Sequence, residues 1–99
     1  MIKVALSPDA ILDYDESFAW YAKRSRKSAL DFEEAVAAAI DRIAGGHEDC
    51  PRFDDVYQYT RLKRFPFAVV FRVEGNSAHI VAIAHNSRNT GFWKTRDQP

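Results

Sequence analysis

Two apolar runs on either side of a tight turn constrain this chain most. Residues 67–73 and 78–84 are rich in β-branched and aromatic side chains, and Glu74-Gly75-Asn76-Ser77 between them puts Gly75 and Asn76 at a hairpin tip. Strands this apolar need cover on at least one face, so the rest of the chain must supply a layer to pack on them. Neither run, nor any other segment, approaches the ~18 apolar residues that a membrane span requires. The N-terminal stretch Met1-Ile-Lys-Val-Ala-Leu-Ser-Pro has too short an apolar run for a signal peptide. The expectation is a cytoplasmic protein without a membrane partner.

The covering layer is legible upstream. Residues 2–6 fit a short strand that stops at Ser7-Pro8. Ser7 as N-cap, Pro8 at the first helical position and Asp9 in the first turn then predict a helix. Ile11, Tyr14, Phe18 and Tyr21 recur at three- and four-residue steps on one face of it. The cationic run Lys23-Arg24-Ser25-Arg26-Lys27 suits the negative end of that helix's dipole. Ser28 and Asp31 resemble a cap for a second helix over 29–44, with Phe32, Val36, Ile40 and Ile43 as its stripe and Gly45-Gly46 as its stop. Residues 47–56 read as a loop and 57–64 as a strand with something polar on both faces. The order is β-α-α-β-β-β, an α+β fold with an N-terminal helix hairpin packed on a small, mainly antiparallel sheet. With 99 residues, of which thirteen are aromatic, it forms a single domain over 1–99.

Charge divides the chain. Residues 1–56 hold seven Lys/Arg against twelve Asp/Glu, net −5, and residues 57–99 hold seven against two, net +5. That segregation suggests an anionic partner for the second half, either nucleic acid or an acidic protein segment. The competing reading is that these cations solvate the outer face of a sheet. Cys50 is the single cysteine, with acidic neighbours that do not favour a thiolate, so it reads as incidental in a reducing compartment. His47 and His79 have no companion at metal-ligand spacing, and phosphate-loop, dinucleotide, zinc and nucleophile-elbow patterns are missing. No metal and no cofactor are expected. Asp54 and Asp55 are adjacent, so an extended chain turns them to opposite faces and they form no acid–base pair.

The element order, together with Arg64-Phe65-Pro66-Phe67 followed by Phe71-Arg72-Val73, then Ile83-Ala84-His85 and Arg88, and Gly91-Phe92-Trp93 with Arg96, resembles the RelE/ParE superfamily of toxins from bacterial type II toxin-antitoxin modules. The likeness runs from about Ile2 to Arg96 and is most specific from Arg61 onward; the pair Trp20-Tyr21 also fits. It implies a growth-inhibiting toxin of the plasmid-stabilization type, neutralised by a cognate antitoxin. RelE-like members cut mRNA on the ribosome, whereas ParE-like members poison DNA gyrase.

RNA cleavage without a metal needs a proton acceptor, a proton donor and cations for the charged phosphorane. RelE-like nucleases draw these from strand cations and a C-terminal tyrosine, but here Ala68 stands at the strand position and Phe92 or Trp93 at the other. A methyl group and a ring without a phenol cannot take those parts. His85 with Arg88 would be the catalytic pair if the chain is a nuclease. The competing reading of His85 is a strand-end residue that orients the loop to Arg88. Phe92 and Trp93 would stack on bases in one reading and pack onto the sheet in the other. The preferred function is a toxin that binds a protein target such as gyrase. Its target- or antitoxin-contacting residues are Arg61, Lys63, Arg64, Arg88, Phe92, Trp93 and Arg96, with Arg61, Arg64, Arg88 and Arg96 expected on one continuous positive surface. A ribosome-dependent endoribonuclease and a non-toxic binding module of the same fold stand as alternatives.

Overall fold

The computed structural model describes residues 1–97. The elements are β1 (Lys3–Leu6), α1 (Pro8–Ala22), α2 (Arg26–Gly46), a short 3-10 turn (His47–Asp49), β2 (Tyr57–Arg61), β3 (Phe67–Glu74), β4 (Ser77–His85) and α3 (Trp93–Arg96). The four strands form one sheet in the order β1-β4-β3-β2. Only β1 and β4 run parallel, so the sheet is mainly antiparallel and the fold is α+β as the sequence predicts.

Ser7 caps α1 by accepting the Ala10 N–H at 3.1 Å. Arg24 donates to the Trp20 carbonyl at 2.9 Å, satisfying an orphan acceptor at the end of that helix. Three boundaries differ from expectation. The cap of α2 is Ser25, not Ser28: the Ser25 hydroxyl accepts the Ser28 N–H at 3.2 Å. Gly45-Gly46 does not stop α2, which includes both glycines and passes into the 3-10 turn, since neither takes a left-handed conformation. β2 ends at Arg61, because Arg64 turns the chain with φ of 70° and Phe67 N–H closes a three-residue turn on Phe65 C=O at 2.8 Å. The β3–β4 turn follows the predicted plan, with Gly75 at φ 60° supplying the left-handed first position of a two-residue loop.

Both faces of the sheet are covered. On one side Phe67, Val69, Phe71, Ala78, Ile80 and Ile83 meet Phe32, Val36 and Ile43 of α2. On the other, Val70, Val81, Ala82 and Ala84 lie under Trp93. The side-chain alternation of β4 changes parity midway: Phe71 pairs with Ile80 and Val70 with Ala82, leaving Val81 as the extra residue of a β-bulge. Ile80 and Ile83 therefore share the helix side although three positions apart. No helix among the described residues is long and apolar enough to cross a membrane.

Candidate partner-binding surface

The site grows from a mismatch in strand length. β1 pairs with β4 only as far as Leu6 opposite Ile80, while β4 continues to His85. Asn86 N–H donates to Pro66 C=O at 2.8 Å, so the ladder turns the polar groups of residues 84 and 82 to β3 and those of Ile83 and His85 to the side that β1 leaves open. Asp13 of α1 fills part of that gap. Its Oδ2 accepts the Ile83 N–H at 3.0 Å and a hydrogen bond from Arg96 Nη1 at 2.8 Å. The same Arg96 nitrogen reaches the Val81 carbonyl at 3.4 Å. Arg88 Nη1 stands 3.8 Å from the other Asp13 oxygen.

This geometry corrects the reading of the charge pattern. Much of the basic half pairs inside the molecule: Arg96 with Asp13 and Asp9, Lys94 with Asp54 at 2.9 Å, and Arg72 with Asp97 and Glu74, both at 2.8 Å. Arg88, Lys94 and Arg96 reach across to acids of the first half, whereas Arg72 pairs within its own half. Among the described residues Arg61, Lys63 and Arg64 make no ion pair.

Two hollows flank the end of the β3–β4 hairpin, and His85 and Arg88 line both. The first, about 490 Å³, lies between α1 and the strands, with Trp20, Tyr21, Phe67 and Ile83 among its apolar walls and Asp13 and Glu16 in its polar lining. The second, about 370 Å³, lies on the opposite face and brings Tyr59, Arg61, Ala68 and Phe92 together with His85 and Arg88. Within it the Arg88 guanidinium stacks on the Phe92 ring at 3.7 Å, and Arg61 sits 5.6 Å from the Tyr59 ring centre. His85 packs edge-on against Phe67, and its Nδ1 accepts the Ser87 N–H at 3.0 Å with the Ser87 hydroxyl at 2.7 Å. An Nδ1 that accepts a backbone N–H puts the proton of the neutral ring on Nε2.

The predicted contact residues separate accordingly. Arg61, Arg88 and Phe92 converge on the second hollow. Lys63 and Arg64 line a different depression with Arg42, Asp31 and Glu34 of α2, so the four arginines do not form one continuous surface. Arg96 is committed to Asp13, with its guanidinium 4.9 Å from the Phe92 ring centre. Trp93 also lines the second hollow, 5 % exposed and packed edge-on against Phe53 and Phe92. Its indole N–H finds no acceptor among the described residues. Tyr59 and Asp13 were not singled out from sequence. The alternation of Tyr57, Tyr59 and Arg61 along one strand face was the available signal for Tyr59; nothing local distinguished Asp13 from the other acids of α1.

Electrostatics fasten the C-terminal segment to the sheet. The Tyr57 hydroxyl donates to Asp97 at 2.9 Å beside the Arg72–Asp97 pair. Burial, with the Asp97 carboxylate, pushes the Tyr57 phenol up to about 12. Asp54 is held down at about 2, first by the Tyr57 backbone N–H and then by Lys94 and the Val56 N–H. Burial pushes the Cys50 thiol up, which agrees with an unreactive side chain.

A solved structure described as the chromosomal ParDE toxin-antitoxin system from P. aeruginosa shares this fold, with a TM-score of 0.74 at 21% identity over 86% of this chain and 96% of that one. No curated protein matches the sequence. The family model for the ParE toxin of type II toxin-antitoxin systems, parDE, matches residues 4–90. The chain belongs to the ParE toxin family of type II toxin-antitoxin systems.

Proposed function

We propose that this toxin acts in the cytoplasm by binding an essential protein, DNA gyrase first among the candidates, and that a cognate antitoxin neutralises it. The observation that carries this reading is the second hollow. Its floor holds Ala68 where RelE-like nucleases carry a cation, and its rim presents Arg88 stacked on Phe92 beside Arg61 and Tyr59. Arginines flattened against rings are the side chains that protein interfaces favour as anchors. Family membership in ParE rather than RelE supports the same target class.

One observation favours a second reading, ribosome-dependent cleavage of mRNA. The hollow places a phenol, Tyr59, with His85 and two arginines, and a phenol and an imidazole can divide the proton transfers of RNA cleavage. A single induction experiment distinguishes the two. Producing the protein alone in a bacterium should arrest growth with intact RNA and impaired gyrase supercoiling, and Arg88→Ala with Arg61→Ala should relieve the arrest. Ribosome-dependent cuts lost in His85→Ala or Tyr59→Phe would replace the first reading with the second. Healthy growth without the antitoxin would leave a non-toxic binding module.

A further inference from the structure

The second hollow is lined by no carboxylate among the described residues, whereas Asp13 and Glu16 line the first and Asp31 and Glu34 the depression beside Lys63. Its ionic groups are two arginines. The Arg61 side chain makes no hydrogen bond or ion pair among the described residues, and its guanidinium lies 5.6 Å from the Tyr59 ring centre. Arg88 has Asp13 as its carboxylate neighbour, at 3.8 Å, but that carboxylate is already engaged by Arg96 at 2.8 Å. The Nε2–H of the neutral His85 ring has no acceptor among the described residues, because both Ser87 contacts fall on Nδ1. Beside these donors Ala68, Val70 and Ala84 form a floor of small apolar side chains. Two arginines and an imidazole without matched acceptors find their strongest complement in an ionised oxygen acceptor, and a carboxylate accepts two parallel bonds from one guanidinium. Stacking on Phe92 at 3.7 Å already fixes the plane of the Arg88 guanidinium, so less side-chain freedom is lost when it binds.

We infer that this hollow seats an acidic side chain of the protein target, an aspartate or glutamate whose carboxylate is held by Arg61 and Arg88 and whose methylenes rest on the floor of Ala68, Val70 and Ala84. The inference rests on the reading that the toxin acts by binding a protein. Size agrees with a side chain and its flanks: about 370 Å³ lies near the lower end of the ~300–1,000 Å³ that ligand pockets span. A nucleic-acid strand would need cations spaced along its backbone. Here the neighbouring cations are engaged elsewhere. Lys63 and Arg64 line a separate depression with acids of α2, and Lys94 is paired with Asp54 at 2.9 Å. One compact anion therefore suits this pair of arginines better than a polyanion does.

The test uses the full-length toxin with purified DNA gyrase as the probe. Arg61→Gln with Arg88→Gln should bind gyrase about a hundredfold more weakly than wild type, and Arg61→Lys, which keeps the charge, should lose about tenfold or less. The amine that Arg61→Lys or Arg88→Lys introduces should be joined by a zero-length carbodiimide to an aspartate or glutamate of gyrase, in a peptide pair that mass spectrometry identifies. That cross-link supports the inference even if the double variant unfolds. Undiminished gyrase binding by a folded double variant, or no cross-link from position 61 or 88 in a complex that forms, overturns the inference and leaves the protein-target reading in place. Failure of the wild-type toxin to bind gyrase overturns both. Loss of binding to a single-stranded RNA oligonucleotide in the double variant, with gyrase binding unchanged, assigns the arginines to phosphates and overturns the carboxylate.

Discussion

The Arg96 guanidinium meets the Asp13 carboxylate at 2.8 Å and joins the last helix to the first across 83 positions of sequence. The pair also satisfies the two backbone groups that the Val81 bulge and the end of β1 leave without a strand partner, Val81 C=O and Ile83 N–H. Asp13 is 8 % exposed at its side chain and Arg96 20 %, so removing one partner strands the other out of water. Asp13→Ala should destabilise the fold by about 3 kcal/mol. Arg96→Ala should cost about 2 kcal/mol, and the double variant clearly less than the sum. Arg88→Ala, half-exposed and 3.8 Å from Asp13, should cost under about 0.5 kcal/mol. Urea unfolding of the four variants measures this, and an Arg96→Ala protein as stable as Arg88→Ala would contradict the clasp.

Acid should loosen the loop before β2. Asp54 titrates at about 2 in the folded chain against an ordinary 3.8, so its contribution is present above pH 3.8 and is lost as pH falls through 2. Asp54→Asn should be less stable at neutral pH and should lack that slope between pH 4 and 2. Unfolding midpoints recorded across this window decide the matter.

Alkali should act at the residue that opens β2. The Tyr57 phenol ionises at about 12 when folded and near 10 when unfolded, so the folded state binds the proton more tightly. Its stability contribution is complete below pH 10 and disappears as pH rises toward 12. Tyr57→Phe should lose about 1 kcal/mol at neutral pH, for the hydrogen bond to Asp97, and show a flatter alkaline limb. Phenolate absorbance during a pH titration gives an independent check.

Trp93 combines deep burial with an indole N–H that has no acceptor among the described residues. Trp93→Phe should therefore fall within about 1 kcal/mol of wild type, because it removes an unpaired donor along with some packing. Trp93→Ala should cost about 3 kcal/mol or more from the cavity it leaves against Phe53, Tyr57 and Phe92. Equal losses in the two variants would show that the N–H is bonded in solution.

Arg64 holds a left-handed backbone that costs a residue with a Cβ about 1 kcal/mol. Arg64→Gly should melt at or above the wild-type temperature, against the usual loss of about 0.5–1 kcal/mol when glycine enters ordered structure. A lower melting point in calorimetry would show that the arginine side chain stabilises the loop.

The layers were legible because they depend on local chemistry. The Ser7-Pro8-Asp9 start, the aromatic stripe of α1 and the Gly75 turn each act over a few residues. What escaped the sequence was long-range. Gly45-Gly46 stays helical since α2 continues into the 3-10 turn, which no local pattern announces. The parity change at Val81 is invisible in an unbroken apolar run, and with it the role of Asp13, whose partners lie 70 and 83 residues away. The surplus of cations after Tyr57 looked like a binding surface because sequence does not show which of them face an acid; Arg72, Lys94 and Arg96 do.

The parallel pairing of β1 with β4 also fixes when this protein can become itself. Lys3 emerges from the ribosome more than seventy residues before its partner Ser77 and the rest of β4. The helix pair can form during synthesis, but closing a loop of that length must wait until β4 has emerged. The sheet, the hollows beside His85 and the clasp at Asp13 arise together only after β4 and the segment through Arg96 have emerged. Until β4 arrives, neither of the hollows that His85 and Arg88 line can exist.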